Sequence, residues 1–338
     1  MSLVGIIANP ASGKDIRRIV ARGMTVPDHE KINIVRRILI GIAALGVDSI
    51  RWMPDAADLV GRAADGLQLG LDARALDLPI TDSPDDTTRA AEALRERGAD
   101  CIVVLGGDGT CRAAAKGAGE VPLLPISTGT NNAFPQFVEG TLAGLAAAIV
   151  ARGIASTAIT RAPCLRILRE STPIDLALID VVSFEGMVGA RAVWQMERVR
   201  QLVSVRYGPG TIGLSAIAGY LGLQPPSPDV ALTVTLGAGE RRVVAPVAPG
   251  VIEELGVRSQ RWLEDGETVR IEQTPCVLAL DGERELSVRN GMLIDVQFDS
   301  HGPRVVQVQQ ALELGVQYGM FDPARWSPSK RSDPRLGI

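Results

Sequence analysis

Metal-ligating residues are scarce in this chain of 338 residues: the histidines are His29 and His301, and the cysteines Cys101, Cys111, Cys164 and Cys276 stand far apart. No spacing among them matches a zinc motif, which excludes a structural zinc site and points to reduced thiols in a cytoplasmic setting. Lysine is nearly absent, limited to Lys14, Lys31, Lys116 and Lys330. With 35 basic against 39 acidic side chains the net charge is −4. That balance gives no footprint for a nucleic-acid backbone and no polybasic face for anionic lipid. Long apolar runs are missing too: residues 38–47 and 142–150 are too short to span a bilayer, and the first residues lack the order of a secretion signal. Neither nucleic acid nor integral membrane association is expected.

What remains is a chain with 46% hydrophobic and 22% charged residues, enough for two cores rather than one. Residues 1–156 alternate short apolar runs with helical periods, the signature of a parallel sheet with crossover helices. Leu3–Ala8, Ser49–Met53, Cys101–Leu105 and Pro122–Ile126 read as strands, with helices through Val35–Ala43, Ser83–Gly98, Arg112–Ala118 and Leu142–Ala151. Residues 157–310 turn to short alternating segments such as Ala231–Leu236, Val269–Glu272 and Glu285–Val288, which predict a β-rich second domain. Val188–Val203 and Gly210–Leu223 read as more helical than stranded, and residues 311–338 as a closing helix at Leu312–Met320 with a loose tail.

Three polar, glycine-bearing loops follow three apolar strands. Gly106-Gly107-Asp108-Gly109-Thr110 lies between a strand and a helix, where glycines let the backbone approach phosphate oxygens and a helix N-terminus favours negative charge. Asp108 there can take a proton from an acceptor hydroxyl or help hold Mg²⁺ on a nucleotide; alone, the same residues also suit a tight turn with a helix cap. Asn9-Pro10-Ala11-Ser12-Gly13-Lys14 is not a Walker A loop, because Ala8 and Asp15 stand where that pattern needs Gly and Ser or Thr. Asn9 and Ser12 can hydrogen-bond a phosphate, or simply end a strand in a turn. Ser127-Thr128-Gly129-Thr130-Asn131-Asn132 is the third loop. Three such loops at strand C-termini argue for one ligand crevice.

These loops resemble the N-x-x-S-G, GGDGT and G-T-x-N motifs of the NAD kinase and diacylglycerol kinase superfamily, and within it the chain is most similar to the acetoin catabolism protein X branch. The likeness continues in Tyr207–Ala216, similar to the G-S-T-A-Y-x-L-S-A segment of NAD kinases, in Leu280-Asp281-Gly282-Glu283, similar to the D-G-E hairpin, and in Leu178–Val182, at the place of the L-N-E-V-V strand. The resemblance implies a Rossmann-like α/β domain joined to an antiparallel β-rich domain. It implies ATP and Mg²⁺, the metal carried by the nucleotide rather than by a dedicated protein site. Nucleotide contacts would come from Asn9, Ser12, Gly13, Gly106, Gly107, Gly109, Thr110, Thr128, Gly129, Thr130 and Asn131, and the catalytic carboxylate would be Asp108. Asn132, Asp180, Gly210, Thr211, Asp281 and Glu283 would face a nucleotide or small-molecule acceptor.

Ile179 replaces the asparagine of the NAD kinase pair, which argues against NAD as acceptor. Asp180, flanked by Ile179 and Val181, must face a polar cleft, be capped by hydrogen bonds or carry a raised pKa. The resemblance implies an ATP-dependent kinase that transfers phosphate to a hydroxyl of a nucleotide or small metabolite, with a link to acetoin catabolism; the alternatives are a nucleotide-binding regulator without turnover and a lipid kinase, while homo-oligomerisation stays open.

Overall fold

The six residues of β1 (Leu3–Ala8) are all buried, as a continuous apolar run predicts for a strand covered on both faces. The computed structural model describes residues 1–12, 26–129, 132–186, 195–282 and 284–322. After β1 come α1 (Asp28–Ala44), β2 (Ser49–Trp52), α2 (Leu59–Ala64), β3 (Asp72–Ala75), α3 (Pro84–Glu96), β4 (Cys101–Gly106), α4 (Asp108–Ala118), β5 (Leu123–Ser127) and α5 (Gly140–Ala151). The strands pair in parallel in the order β3-β2-β1-β4-β5. Alternate residues of β1 serve opposite cores: Val4 and Ile6 meet Ile38, Ile42 and Ala147 from α1 and α5, while Leu3 and Ile7 meet Ala90, Leu94 and Cys111 from α3 and α4. Helices α1 and α5 cross at glycines, since a Cβ on Gly144 would lie 2.2 Å from the Ile38 carbonyl oxygen.

The second half contributes β6 (Ile159–Arg161), β7 (Cys164–Arg169), β8 (Thr172–Ala177), β9 (Asp180–Glu185), β10 (Val199–Ser204), α6 (Ala216–Tyr220), β11 (Ala231–Ala248), β12 (Val251–Leu263), β13 (Thr268–Arg270), β14 (Cys276–Leu280), β15 (Arg284–Val288), β16 (Ile294–Asp299) and β17 (Arg304–Val306), then α7 (Val308–Gln317). Six strands form an antiparallel sheet in the order β12-β11-β10-β9-β14-β15, and four form another, β13-β16-β7-β8. Leu165, Ile167, Val181, Leu278 and Phe298 pack between them. The chain then returns, with β17 extending the first sheet beside β5 and β6 and α7 packing on α5. The protein is therefore α/β, a Rossmann-like parallel sheet joined to antiparallel sheets.

Four local expectations change. Helix α4 begins at Asp108 rather than Arg112, so three of the five glycine-loop residues form its first turn. Val199–Ser204 is a strand inside the six-stranded sheet, because its apolar residues find partners on both β9 and β11. Within residues 210–223 the helix is confined to Ala216–Tyr220, and the closing helix spans Val308–Gln317. The tail beyond residue 322, like residues 187–194, lies outside the described residues.

Candidate active site

The order β3-β2-β1-β4-β5 places the topological switch point between β1 and β4, because connections leave in opposite directions from that pair. Loops diverge there and leave a crevice at the strand C-termini. The Asn9 side-chain amide donates to Thr110 Oγ1 at 2.9 Å, and its carbonyl oxygen accepts the Ala11 N–H at 2.9 Å. Ser12 Oγ donates to the Asn9 carbonyl at 2.7 Å and accepts from Thr128 Oγ1 at 3.2 Å. Three loops that are far apart in sequence are thus tied together. Asn9 and Ser12, both from the first loop, spend hydrogen bonds on the other two loops, which makes them organisers of the crevice.

Lys31, unnoticed as a site residue from the sequence, is fully buried. Its ammonium donates to the Pro10 carbonyl at 2.7 Å and pairs with Asp28 at 3.4 Å. The signal was present: Lys31, Val35, Ile38 and Ile42 recur at helical spacing on the buried face of α1, so one lysine occupies an apolar stripe.

Helix α4 begins behind Gly107, which provides no side-chain cap, so its first-turn N–H groups lack the partner a Ser or Asp cap would give. A Cβ on Gly106 would lie 2.5 Å from Cβ of Thr110, so only glycine lets the loop close this tightly. The Thr128 N–H donates to the Gly106 carbonyl at 3.3 Å, and Asn132 holds the third loop through Ser127 Oγ at 2.8 Å and the Gly129 carbonyl at 3.4 Å. The buried Asp108 carboxylate accepts the Phe134 N–H at 2.8 Å and the Ala133 N–H at 3.1 Å. These amides fix its orientation beside the uncapped helix end. A cavity of about 460 Å³ adjoins it, lined by Asn9, Asp55, Thr110, Arg112 and Glu285 among others.

From the other half, β9 starts with Asp180. Burial pushes its carboxyl well above the usual range, and the neighbouring charges of Asp281 and then Asp108 push the same way against one hydrogen bond from the Ser215 amide. One oxygen of Asp180 is buried without a hydrogen bond. Asp281 differs from the expectation of a residue facing acceptor: its side chain is fully enclosed. It accepts N–H groups of Leu178, Ile179 and Asp180 at 2.9, 2.8 and 3.3 Å, so it holds the start of β9. Burial lifts it to about 6, against those amides and Arg112. Arg112 of α4 lies 3.8 Å from Asp281 and 3.2 Å from Asp175, which also receives Lys116 at 3.1 Å and Arg284 at 3.4 Å. The helix that presents the glycine loop is thereby fastened to the antiparallel half.

Gly210 is exposed, and Thr211 donates to the Gly208 carbonyl at 3.1 Å. Ile179 is 4% exposed within the apolar core, so it does not line an open cleft as its place in the NAD kinase pattern implied. Gly13, Thr130, Asn131 and Glu283 lie outside the described residues.

Comparison with known proteins shows the family. Over 323 residues the chain is 38% identical to Acetoin catabolism protein X of Cupriavidus necator, covering 90% of each chain. The chain belongs to the acetoin catabolism protein X family. The model of that family's C-terminal domain matches residues 163–301, and the ATP-NAD kinase N-terminal domain model matches residues 4–154. The boundary between them falls between α5 and β7, where parallel pairing gives way to antiparallel. Solved structures similar to this member of the family include a candidate diacylglycerol kinase of Bacillus anthracis strain Sterne, at TM-score 0.49 and 12% identity over 90% of this chain and 97% of that one. A second diacylglycerol kinase structure from the strain gives 0.46 and 13% over 90% and 96%. Among the described residues no helix is long and apolar enough to cross a membrane.

Proposed function

We propose that this protein is an ATP-dependent phosphotransferase of the cytoplasm that moves the terminal phosphoryl group of ATP to a hydroxyl of a nucleotide or small metabolite. Its metabolic setting would be acetoin catabolism, the process that the name of its Cupriavidus necator relative records. One observation carries the reading: the Asn9–Thr110 and Ser12–Thr128 hydrogen bonds gather three strand-end loops around an uncapped helix N-terminus at the switch point of a parallel sheet. Amides with no cap, beside glycines that admit close approach, form a phosphate cradle.

The Gly106–Thr110 amides, with Thr128 and Gly129, would hold the triphosphate, and the adjoining cavity of about 460 Å³ is large enough for the nucleoside. Magnesium carried by the triphosphate would supply charge neutralisation there, and Asp108 is the carboxylate that would face it. Asp108 orients the acceptor hydroxyl and takes its proton as the hydroxyl oxygen bonds to phosphorus and ADP leaves with the electron pair of the broken bond. Asp180, whose burial favours the protonated form, would donate a hydrogen bond to an acceptor oxygen, with Gly210, Thr211 and Glu283 completing that side. NAD belongs among the acceptors to be tested, because Ile179, whose alkyl side chain argues against it in the sequence, lies in the apolar core rather than in the cleft.

The test is ATP consumption across a panel of hydroxylated metabolites, NAD among them. Turnover with a small polyol-like or nucleotide acceptor is the expected result. A folded protein that binds Mg-ATP but consumes none with any acceptor would instead be a regulator.

A further inference from the structure

Arg206 belongs to the antiparallel half of the molecule. It follows β10, and its backbone is fixed on both sides: Ser204 Oγ accepts its N–H at 3.0 Å and donates to its carbonyl at 2.7 Å, while the Val205 N–H donates to the Ile179 carbonyl at 3.0 Å. Ser204 is paired across the sheet with Asp180, so Arg206 is held beside the start of β9. On its far side Tyr207 meets Trp262 edge to face, with ring centroids 5.0 Å apart, and the glycine loop toward Ser215 begins. The guanidinium is half-buried and its Nε is buried with no hydrogen bond. Among the described residues no carboxylate pairs with it. Burial lowers its pKa, and Asp108, from the opposite half of the molecule, acts against that.

A half-buried guanidinium with an idle donor destabilises the free protein, and the cost is offset only when an anion completes the site. The anion that belongs between Asp108 and the acceptor loop is the group in transit. Resting on the kinase reading above, we propose that Arg206 is a catalytic residue that contacts the transferring phosphoryl group, reaching it from the acceptor half while the α4 amides hold it from the other. In the step, the acceptor oxygen bonds to the γ-phosphorus, the bond to the bridging oxygen breaks with its electron pair leaving on ADP, and the acceptor proton passes to Asp108. The planar fork of Arg206 sets two N–H donors against the equatorial oxygens, where negative charge is held through the transfer.

The experiment is calorimetric titration of Mg-ADP with and without fluoroaluminate, which imitates the transferring group, into wild-type protein and the variants Arg206→Met and Arg206→Lys. Wild type should bind Mg-ADP and bind it more tightly with fluoroaluminate. Arg206→Met should keep its affinity for Mg-ADP alone within about threefold and lose about 100-fold of the tightening, the scale of one charge-stabilising donor. Arg206→Lys, which keeps the charge without the fork, should recover part of it. Removal of an unpartnered charge should also raise the melting temperature of Arg206→Met above wild type, a change opposite to that of a residue that holds the fold. Full tightening in Arg206→Met, or none in a wild type that binds Mg-ADP, overturns the role of Arg206 alone. Wild-type protein that does not bind Mg-ADP overturns the kinase reading, and this inference with it.

Discussion

The side-chain amide of Asn9 donates to Thr110 Oγ1 at 2.9 Å, and this hydrogen bond joins the loop that ends β1 to the first turn of α4, 101 residues later. Because Asn9 also accepts the Ala11 N–H, replacing it with alanine frees both loops at once. Asn9→Ala should cost about 1 kcal/mol of stability per lost hydrogen bond and weaken Mg-ATP binding about tenfold or more through loss of preorganisation. Urea unfolding and calorimetry measure the two effects; unchanged affinity in the variant would remove Asn9 from the site.

Gly106→Ala probes the same junction from below. The added methyl would lie 2.5 Å from Thr110, so Thr110 must move and release Asn9. The variant should lose about 1–3 kcal/mol and most of its nucleotide affinity together. Wild-type affinity would show that the loop does not need its close approach.

Asp108→Asn keeps the shape of a carboxylate fixed by the Ala133 and Phe134 amides but loses its charge and basicity. Phosphoryl transfer should fall by about 100-fold or more with Mg-ATP affinity retained within a few-fold. Turnover close to wild type would place proton transfer elsewhere.

Burial raises Asp180 well above the usual carboxylate range and Asp281 to about 6. A carboxyl whose folded pKa exceeds its unfolded value, about 3.9, binds its proton more tightly in the folded state. Its stabilising contribution is therefore present at low pH and is lost as pH rises from about 4 through the folded pKa. Asp180→Asn removes one of these two groups without removing a counterion. The variant should unfold at higher urea than wild type at pH 7, with the gap shrinking toward pH 4. A gap that is constant with pH would mean that Asp180 titrates normally.

Much of the first half was legible because its signals are local. The buried runs of β1 and β4 and the glycine after each helix can be read within a dozen residues, and the loops they bracket fall where the parallel topology must open. Asp180 was legible as a conflict, a carboxylate inside an apolar strand, and the structure resolves it through a raised pKa and one amide. Val199–Ser204 reads as helical in the sequence because its strand character depends on β11, some 30 residues further on, and on a register shift beside Arg200. Arg206 gives no signal at all: nothing in Val205-Arg206-Tyr207 shows that its Nε is buried without a hydrogen bond, a property of the folded arrangement alone. Ile179 was legible as a substitution but not as a core residue. Ile179→Asn would therefore bury an amide beside Leu178 and should lower stability by about 2 kcal/mol or more without creating NAD phosphorylation. NADP formation by that variant would contradict its placement in the core.

The central claim is that the crevice at the β1–β4 switch point binds the phosphates of ATP, and the most direct measurement is the unfolding midpoint of the wild-type protein as Mg-ATP is raised to millimolar concentration. A ligand that binds only the folded state stabilises it by about 2.7 kcal/mol at 100 times its dissociation constant, so the midpoint should climb by several degrees and keep climbing with the logarithm of concentration. A midpoint that stays fixed in a protein shown to be folded would contradict the account.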